Sequence, residues 1–320
     1  MTEAAGSFEY RLLRRSDIPN YLPVVLQGVG KLERATGLDR SAEKMVRSLS
    51  RRSFWTLLRF FQLIGRPVAQ IFVAVDGNRV VGTGTLLRLR KAAYVAGMAT
   101  DAEYRGRGIA SHILTLLQQD AARRHQGWLV LDVDSDNETA IGVYRRAAYR
   151  EAARFTWYVR TGVPPTTSPL PPGTRPATKA ELEEITPRLN EARTPDYRTA
   201  LLSTPRRLTH NEVLANAFRS RKKTWVLRTL SGSPLVLRAS FAPDREVPMG
   251  VYFPLGGPTP PTPEEAAAVL DRGTEWLRPQ APTTCLAVVP EPTGVMGAAL
   301  ELLGFKGVAS SITMVRSSSA

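Results

Sequence analysis

Met98-Ala99-Thr100-Asp101-Ala102-Glu103-Tyr104-Arg105-Gly106-Arg107-Gly108-Ile109-Ala110-Ser111 is the stretch from which the fold can be read. It runs from β-prone residues through a turn with two glycines into a helix-forming segment. A turn of this kind sets free backbone N–H groups and the positive end of a helix dipole around one point, which suits a pyrophosphate. Gly106 and Gly108 let the main chain approach a ligand with no side chain between, and Arg105 and Arg107 add positive charge. Two other phosphate motifs do not fit. No Lys-Ser/Thr pair follows the glycines, and Gly106-x-Gly108-x-x-Ser111 lacks the third glycine of a dinucleotide fingerprint.

Working outward, Ala93–Thr100 reads as the strand that feeds the turn, and Gly108–His125 as the helix that leaves it. That helix is expected to bury Ile109, Ile113, Leu116, Leu117 and Ala121 and to stop at Gly127. Upstream, Ile71–Asp76 and Arg79–Leu89 are rich in β-branched residues and joined by Gly77-Asn78, a hairpin signal. Phe8–Leu13 reads as a strand, Asp17 as the cap of a helix running towards Thr36, and Ser41–Ile64 as a second helical region with a wide apolar stripe. Downstream, Trp128–Asp134 is a strand, Asn137–Ala147 a helix and Arg154–Val159 a strand. The resulting class is α/β with a mixed sheet.

With these elements in place, the turn resembles motif A of the GNAT acyltransferase superfamily, an Arg/Gln-x-x-Gly-x-Gly/Ala loop met here as Arg105-x-x-Gly108-x-Ala110. Leu131-Asp132-Val133-Asp134-Ser135-Asp136-Asn137-Glu138-Thr139-Ala140-Ile141-Gly142-Val143-Tyr144-Arg145-Arg146-Ala147-Ala148-Tyr149 resembles motif B: a strand, an Asn, and a helix with a Tyr seven residues on. The family's usual Gly-Phe ending is replaced by Ala148-Tyr149, which weakens the turn but touches no catalytic group. The resemblance covers Phe8–Val159, with both motifs in the right order.

It implies acetyl-CoA as acyl donor, a primary amine as acceptor, and no metal. The cofactor-binding residues it implies are Met98, Ala99, Thr100, Arg105, Gly106, Arg107, Gly108, Ile109, Ala110, Ser111 and Asn137, those of Met98–Thr100 acting through their backbone. By position in motif B, Tyr144 resembles the acid that protonates the coenzyme A sulfur. The strand Ala93–Thr100 has no carboxylate, so Asp132 on the next strand is the candidate base, directly or through water. Each has an ordinary alternative: Tyr144 as a packed helix residue, Asn137 as a simple N-cap. His112 and His125 are read as surface residues or a charge match at the helix end; His210 is remote and no cysteine cluster exists, so no zinc site is supported, and no nucleophile elbow is present in the sequence.

Prolines 164, 165, 169, 171 and 172 mark a stiff linker. The expected division is 1–160, a catalytic GNAT-like domain; 161–174, linker; and 175–320, a degenerate GNAT-like domain. Leu300-Glu301-Leu302-Leu303-Gly304-Phe305 reads like the end of another motif B, and its offset places Val288, Thr293 and Leu300 where the first half has Asp132, Asn137 and Tyr144. The segment matching the phosphate loop, Pro254–Ala266, is crowded with prolines that lack N–H donors. The second half is therefore expected to keep the fold and bind no coenzyme A.

At 320 residues, two cores are expected. The single cysteine, Cys285, excludes an intrachain disulfide and suggests a reducing compartment. With no signal-like or membrane-length apolar run, a cytoplasmic location is expected. Net charge is +14, of which residues 1–160 carry +10 from 25 Lys/Arg and 15 Asp/Glu. Such a field suits a polyanionic cofactor, but also nucleic acid, so a basic nucleic-acid-binding protein using Arg40–Arg66 and a non-catalytic acyl-CoA sensor stand as rival readings. Homodimer formation is left open.

Overall fold

The computed structural model describes residues 8–31, 34, 69–88, 92–164, 175–176, 178, 180, 194–201, 221–228, 234–242, 249–255 and 262–318. The expected helix Ser41–Ile64, the basic region Arg40–Arg66, most of the Thr161–Thr174 linker, His210 and the prolines within 256–261 lie outside these residues. Two compact units emerge: Met1–Val133, Asn137–Glu151 and Met314–Ala320 form the first; Asp134–Asp136 and Ala152–Thr313 form the second. The grouping does not follow the two halves of the chain. Residues 152–160, placed by the sequence with the first domain, group with the second unit, and 314–318 group with the first. A strand joins whichever sheet edge hydrogen-bonds it, whatever its place in the chain.

The first unit contains β1 (Glu9–Leu12), α1 (Ile18–Gln27), β2 (Ala69–Asp76), β3 (Arg79–Arg88), β4 (Ala92–Thr100), α2 (Ile109–Arg123), β5 (Trp128–Asp134) and α3 (Glu138–Arg146). Its strands run in the order β1-β2-β3-β4-β5, and β5 is then followed by the end of β12 (Lys306–Ser317). Within this unit the Ser318 N–H donates to the Gly127 carbonyl at 3.1 Å. Ile18, Tyr21 and Val24 of α1 pack on Leu13, Val73, Val75 and Val80. Helix α1 stops at Gln27, short of the expected Thr36. Asp17 precedes it but caps differently from the expectation: its carboxylate accepts from the Arg14 N–H at 2.6 Å and from the Arg11 guanidinium at 2.6 and 3.0 Å, fixing the turn before the helix.

Two glycines of β3 decide how low α2 sits on the sheet. A Cβ on Gly82 would fall 2.5 Å from Ile109 Cγ2, and one on Gly84 2.6 Å from Met98 Sδ and 2.7 Å from Ile113 Cγ2. The helix therefore rests almost on the strand backbone, and its first turn is brought to the end of β4. Its buried face is Ile109, Ile113, Leu114, Leu117, Asp120 and Ala121; Leu116, expected inside, is only half-buried, because Leu114 takes the place next to Ile113. The helix ends at Arg123, and His125, at φ +54, makes the reversal expected of Gly127.

The second unit contains β6 (Arg150–Thr161, from Ala152), β7 (Arg175–Pro176), α4 (Pro195–Leu201), β8 (Arg221–Arg228), β9 (Pro234–Ala242), β10 (Met249–Leu255), α5 (Pro263–Leu277), β11 (Thr284–Pro290), α6 (Gly294–Leu302) and β12 up to Thr313. The order is β12-β6-β11-β10-β9-β8-β7. Strands β10 and β11 are parallel and β6 is antiparallel to β11, so the β-α-β outline of the first unit recurs. Its core gathers Leu237, Tyr252, Leu270, Leu277, Cys285 and Phe305. Cys285 is a buried free thiol whose pKa burial pushes up to about 12, which makes it a packed residue and not a nucleophile.

Candidate active site

Strands β4 and β5 are parallel, but their pairing is brief: Ala92 faces Trp128, Ala93 faces Leu129, Tyr94 faces Val130, and there it ends. Strand β4 continues for six residues to Thr100 and β5 for four to Asp134. A bulge drives the parting. Between the pairs Thr85↔Ala96 and Thr83↔Ala99 the register with β3 slips by one residue, and Gly97 takes φ +58, which a residue with a Cβ adopts only with strain. The side of β4 that would face β5 is thus left open along Val95–Thr100, a row of amide groups able to pair with an extended ligand. Met98, Ala99 and Thr100 all lie on it, as the sequence reading requires of a backbone contact.

The open edge leads to the glycine turn. Gly106 and Gly108 have φ +78 and +79, and a Cβ at either would meet nothing within 4 Å: both stand at the rim of open space. Gly108 is the N-cap of α2, so no side chain fills the first turn of the helix. The main-chain N–H groups of Gly106 to Ser111 find no main-chain acceptor among the described residues. The exposed loop carries Arg105 and Arg107. Their heads bend back onto main-chain carbonyls, Arg105 Nε to Thr100 at 3.3 Å and Arg107 Nη2 to Glu103 at 3.3 Å. The set is six N–H donors without a main-chain acceptor among the described residues, a helix dipole and two cations, with no acidic residue in the first turn, an arrangement able to hold an anion.

Asn137 is the N-cap of α3, its Oδ1 accepting from the Ala140 N–H at 3.1 Å; its amide N–H groups remain on the exposed side. Tyr144, two turns along α3, is 7 % exposed, its ring 6.0 Å from that of Tyr149. Its hydroxyl has no hydrogen-bond partner among the described residues, and desolvation raises its pKa to about 12. Such a phenol stays protonated at any physiological pH and has a proton to give.

Asp132 is half-buried on β5, and its Oδ2 accepts from the Tyr94 hydroxyl at 2.7 Å. Tyr94 was not singled out from the sequence. It sits in the last β4–β5 pair, and Asp132 lies two residues beyond the other member, on the same sheet face, so the pair occupies the fork where the strands part. Strand alternation would reveal it only once the β4–β5 register is known. Of the histidines within the described residues, His112 is exposed and stacked on Tyr10 with ring centroids 3.8 Å apart, and the exposed His125 follows the end of α2.

Comparison with known proteins agrees with this geometry. Residues 39–149 match the Acetyltransferase (GNAT) family. N-alpha-acetyltransferase 30 of Schizosaccharomyces pombe is 32% identical over 100 residues, a match covering 28% of this chain and 64% of that protein, so the chain spans slightly less than two thirds of this relative's length. A tandem GNAT protein from the clavulanic acid biosynthesis pathway is 13% identical with a TM-score of 0.54, over 98% of this chain and 99% of that one. A GCN5-related N-acetyltransferase from Sphaerobacter thermophilus is 16% identical with a TM-score of 0.58, over 97% and 96%. Residues 39–149 thus resemble the GNAT acetyltransferase family, and the fold of the chain is similar to that of tandem GNAT proteins.

Proposed function

We propose that the first unit transfers an acetyl group from acetyl-CoA to a primary amine by direct attack. The observation that carries this reading is the uncapped glycine entry to α2 at the end of a strand that has parted from its neighbour: the turn takes the diphosphate and the open edge of β4 takes the pantetheine amides. The thioester then lies beside β5 and α3, which carry Asp132 and Tyr144. The acceptor nitrogen attacks the thioester carbon and loses a proton to Asp132, directly or through water. The carbon–sulfur bond breaks, and the sulfur takes the proton of Tyr144, giving an acetamide and the coenzyme A thiol. Tyr94, bonded to Asp132, fixes the carboxylate orientation. An N–H in the β4 edge, at Met98 or Thr100, polarises the thioester carbonyl. Donor and reduced thiol together fit a cytoplasmic setting.

Calorimetry with acetyl-CoA and thiol release with a panel of amines test this directly. Saturable binding with turnover on an amine is the expected result. Binding without turnover on any acceptor would instead favour the sensor. Absence of binding, with salt-dependent retention on DNA or RNA, would favour the nucleic-acid reading.

A further inference from the structure

The glycines of the turn have no side chains to hold them, yet a diphosphate cradle works best when its N–H groups are set before the ligand arrives. The segment leading into it, Asp101–Tyr104, is fastened at every residue. The Asp101 N–H donates to the Val81 carbonyl at 2.9 Å, and the Ala102 N–H to Gln27 Oε1 at 3.0 Å. The Glu103 N–H donates to Asp101 Oδ1 at 3.2 Å, and the Tyr104 hydroxyl to Asp76 Oδ2 at 2.9 Å. Arg79 Nη2 reaches Asp101 Oδ2 at 2.8 Å and Glu103 Oε2 at 2.9 Å. Two guanidinium groups lie over the Tyr104 ring, Arg79 at 5.3 Å and Arg107 at 5.0 Å from its centroid.

Asp76 and Arg79 are paired across the tip of the β2–β3 hairpin. This tip is in turn tied to α1, Asn20 Nδ2 donating to the Asn78 carbonyl at 2.9 Å. The contacts differ in weight. Glu103 is 70% exposed, so its pair with Arg79 contributes little, whereas the Asp101 side chain is 8% exposed and its bonds are sheltered. Tyr104 matters for another reason: it is the last fixed residue before Arg105, and its ring seats the head of Arg107, a residue of the cradle itself.

We infer that the β2–β3 hairpin tip is the positioning device of the phosphate cradle, with Tyr104, Asp76 and Arg79 as positioning residues that hold Arg107 and the 106–108 backbone in the binding geometry. This rests on the reading of the turn as a coenzyme A site. The residues touch no reacting atom, so their loss acts on affinity for the donor and leaves the chemical step intact. The Tyr104–Asp76 bond is one link, so removing either end costs the same and removing both costs no more.

The test compares the full-length wild type with Tyr104→Phe, Asp76→Ala, the double variant and Arg79→Gln, by calorimetry with coenzyme A and by steady-state kinetics with acetyl-CoA varied. Thermal melting confirms that each variant is folded. The expected result is a rise of about five- to tenfold in Kd and in KM for acetyl-CoA, as for loss of one solvent-exposed hydrogen bond, with kcat within about twofold and the double variant no worse than the singles. Unchanged KM, a fall in kcat at unchanged KM, or additive losses in the double variant would overturn it. Hydrogen exchange of the 106–111 amides in the ligand-free protein separates this inference from the reading beneath it. Faster exchange in Tyr104→Phe supports the device even if the wild type binds no coenzyme A, and equal exchange refutes it even if the wild type binds tightly.

Discussion

Helices α2 and α5 occupy the same place in their two units, each following a strand that pairs in parallel with the next strand of the chain, yet they begin in opposite ways. Helix α2 starts at a left-handed glycine with nothing in its first turn. Helix α5 starts at Thr262, whose Oγ1 accepts from the Glu265 N–H at 3.2 Å while the Glu265 carboxylate accepts from the Thr262 N–H at 3.0 Å; Pro263 contributes no N–H, and Glu264 adds a second negative charge. One terminus has its donors and dipole on offer, whereas the other has satisfied them internally and repels anions. A capping box is the stabilising choice, and an open glycine end is the costly one, retained where a ligand supplies the missing partners. The contrast extends along the chain: Tyr144 on α3 is matched by the fully buried Leu300 on α6, and Asn137, a bonded cap, by Thr293, whose side chain caps nothing.

The strongest way to break this comparison is to make the first terminus resemble the second. Gly108→Asp adds a Cβ at φ +79 and a carboxylate at the dipole end, and is expected to weaken acetyl-CoA binding by at least about 10³-fold in calorimetry, charge and strain combined. Tyr144→Phe, which brings α3 closer to the apolar α6, should lower kcat by about 10²-fold with Kd for coenzyme A unchanged. The raised pKa adds a pH signature. An acid works while protonated, so its contribution is lost only as pH rises through about 12, and the kcat profile should show no alkaline fall from this group below about pH 10. A wild-type profile falling at pH 8 to 9, with that limb absent in Tyr144→Phe, would contradict the environment described for it.

Opening the second terminus should not confer binding. Thr262→Ala is expected to cost about 1 kcal/mol of stability, seen as a lower midpoint in denaturant, with no affinity for coenzyme A gained. The smallest effect concerns the turn after each motif-B helix. Ala148 has φ +64 where the second unit has Gly304 at φ +76, so the half proposed to be active carries the strained residue. Ala148→Gly should raise stability by about 0.5 to 1 kcal/mol at unchanged kcat.

Much of this was legible in the residues. Glycine spacing between a strand and an amphipathic helix marked the turn, and the interval from Asn137 to Tyr144 follows from two helical turns. The hairpin at Gly77-Asn78 lies where local pattern placed it. What escaped depends on partners far along the chain. The residues of β12 do not say which neighbour the strand takes, so the grouping of 314–318 with the first unit was invisible. The Tyr94–Asp132 bond needs the β4–β5 register. The reason for Gly82 and Gly84 lies in the closeness of Ile109 and Ile113, which excludes side chains there.

The placement of residues 314–318 has a consequence for the birth of the protein. On the ribosome, the sheet that carries the glycine turn lacks the strand beyond β5 until some 160 residues after Glu151 have emerged, so the front portion waits, one edge bare, for β12. Chains released early would present that edge and no finished sheet, leaving them to chaperones and proteases. The sheet around the glycine turn is then finished only once β12 has been made, after the strands of the second unit.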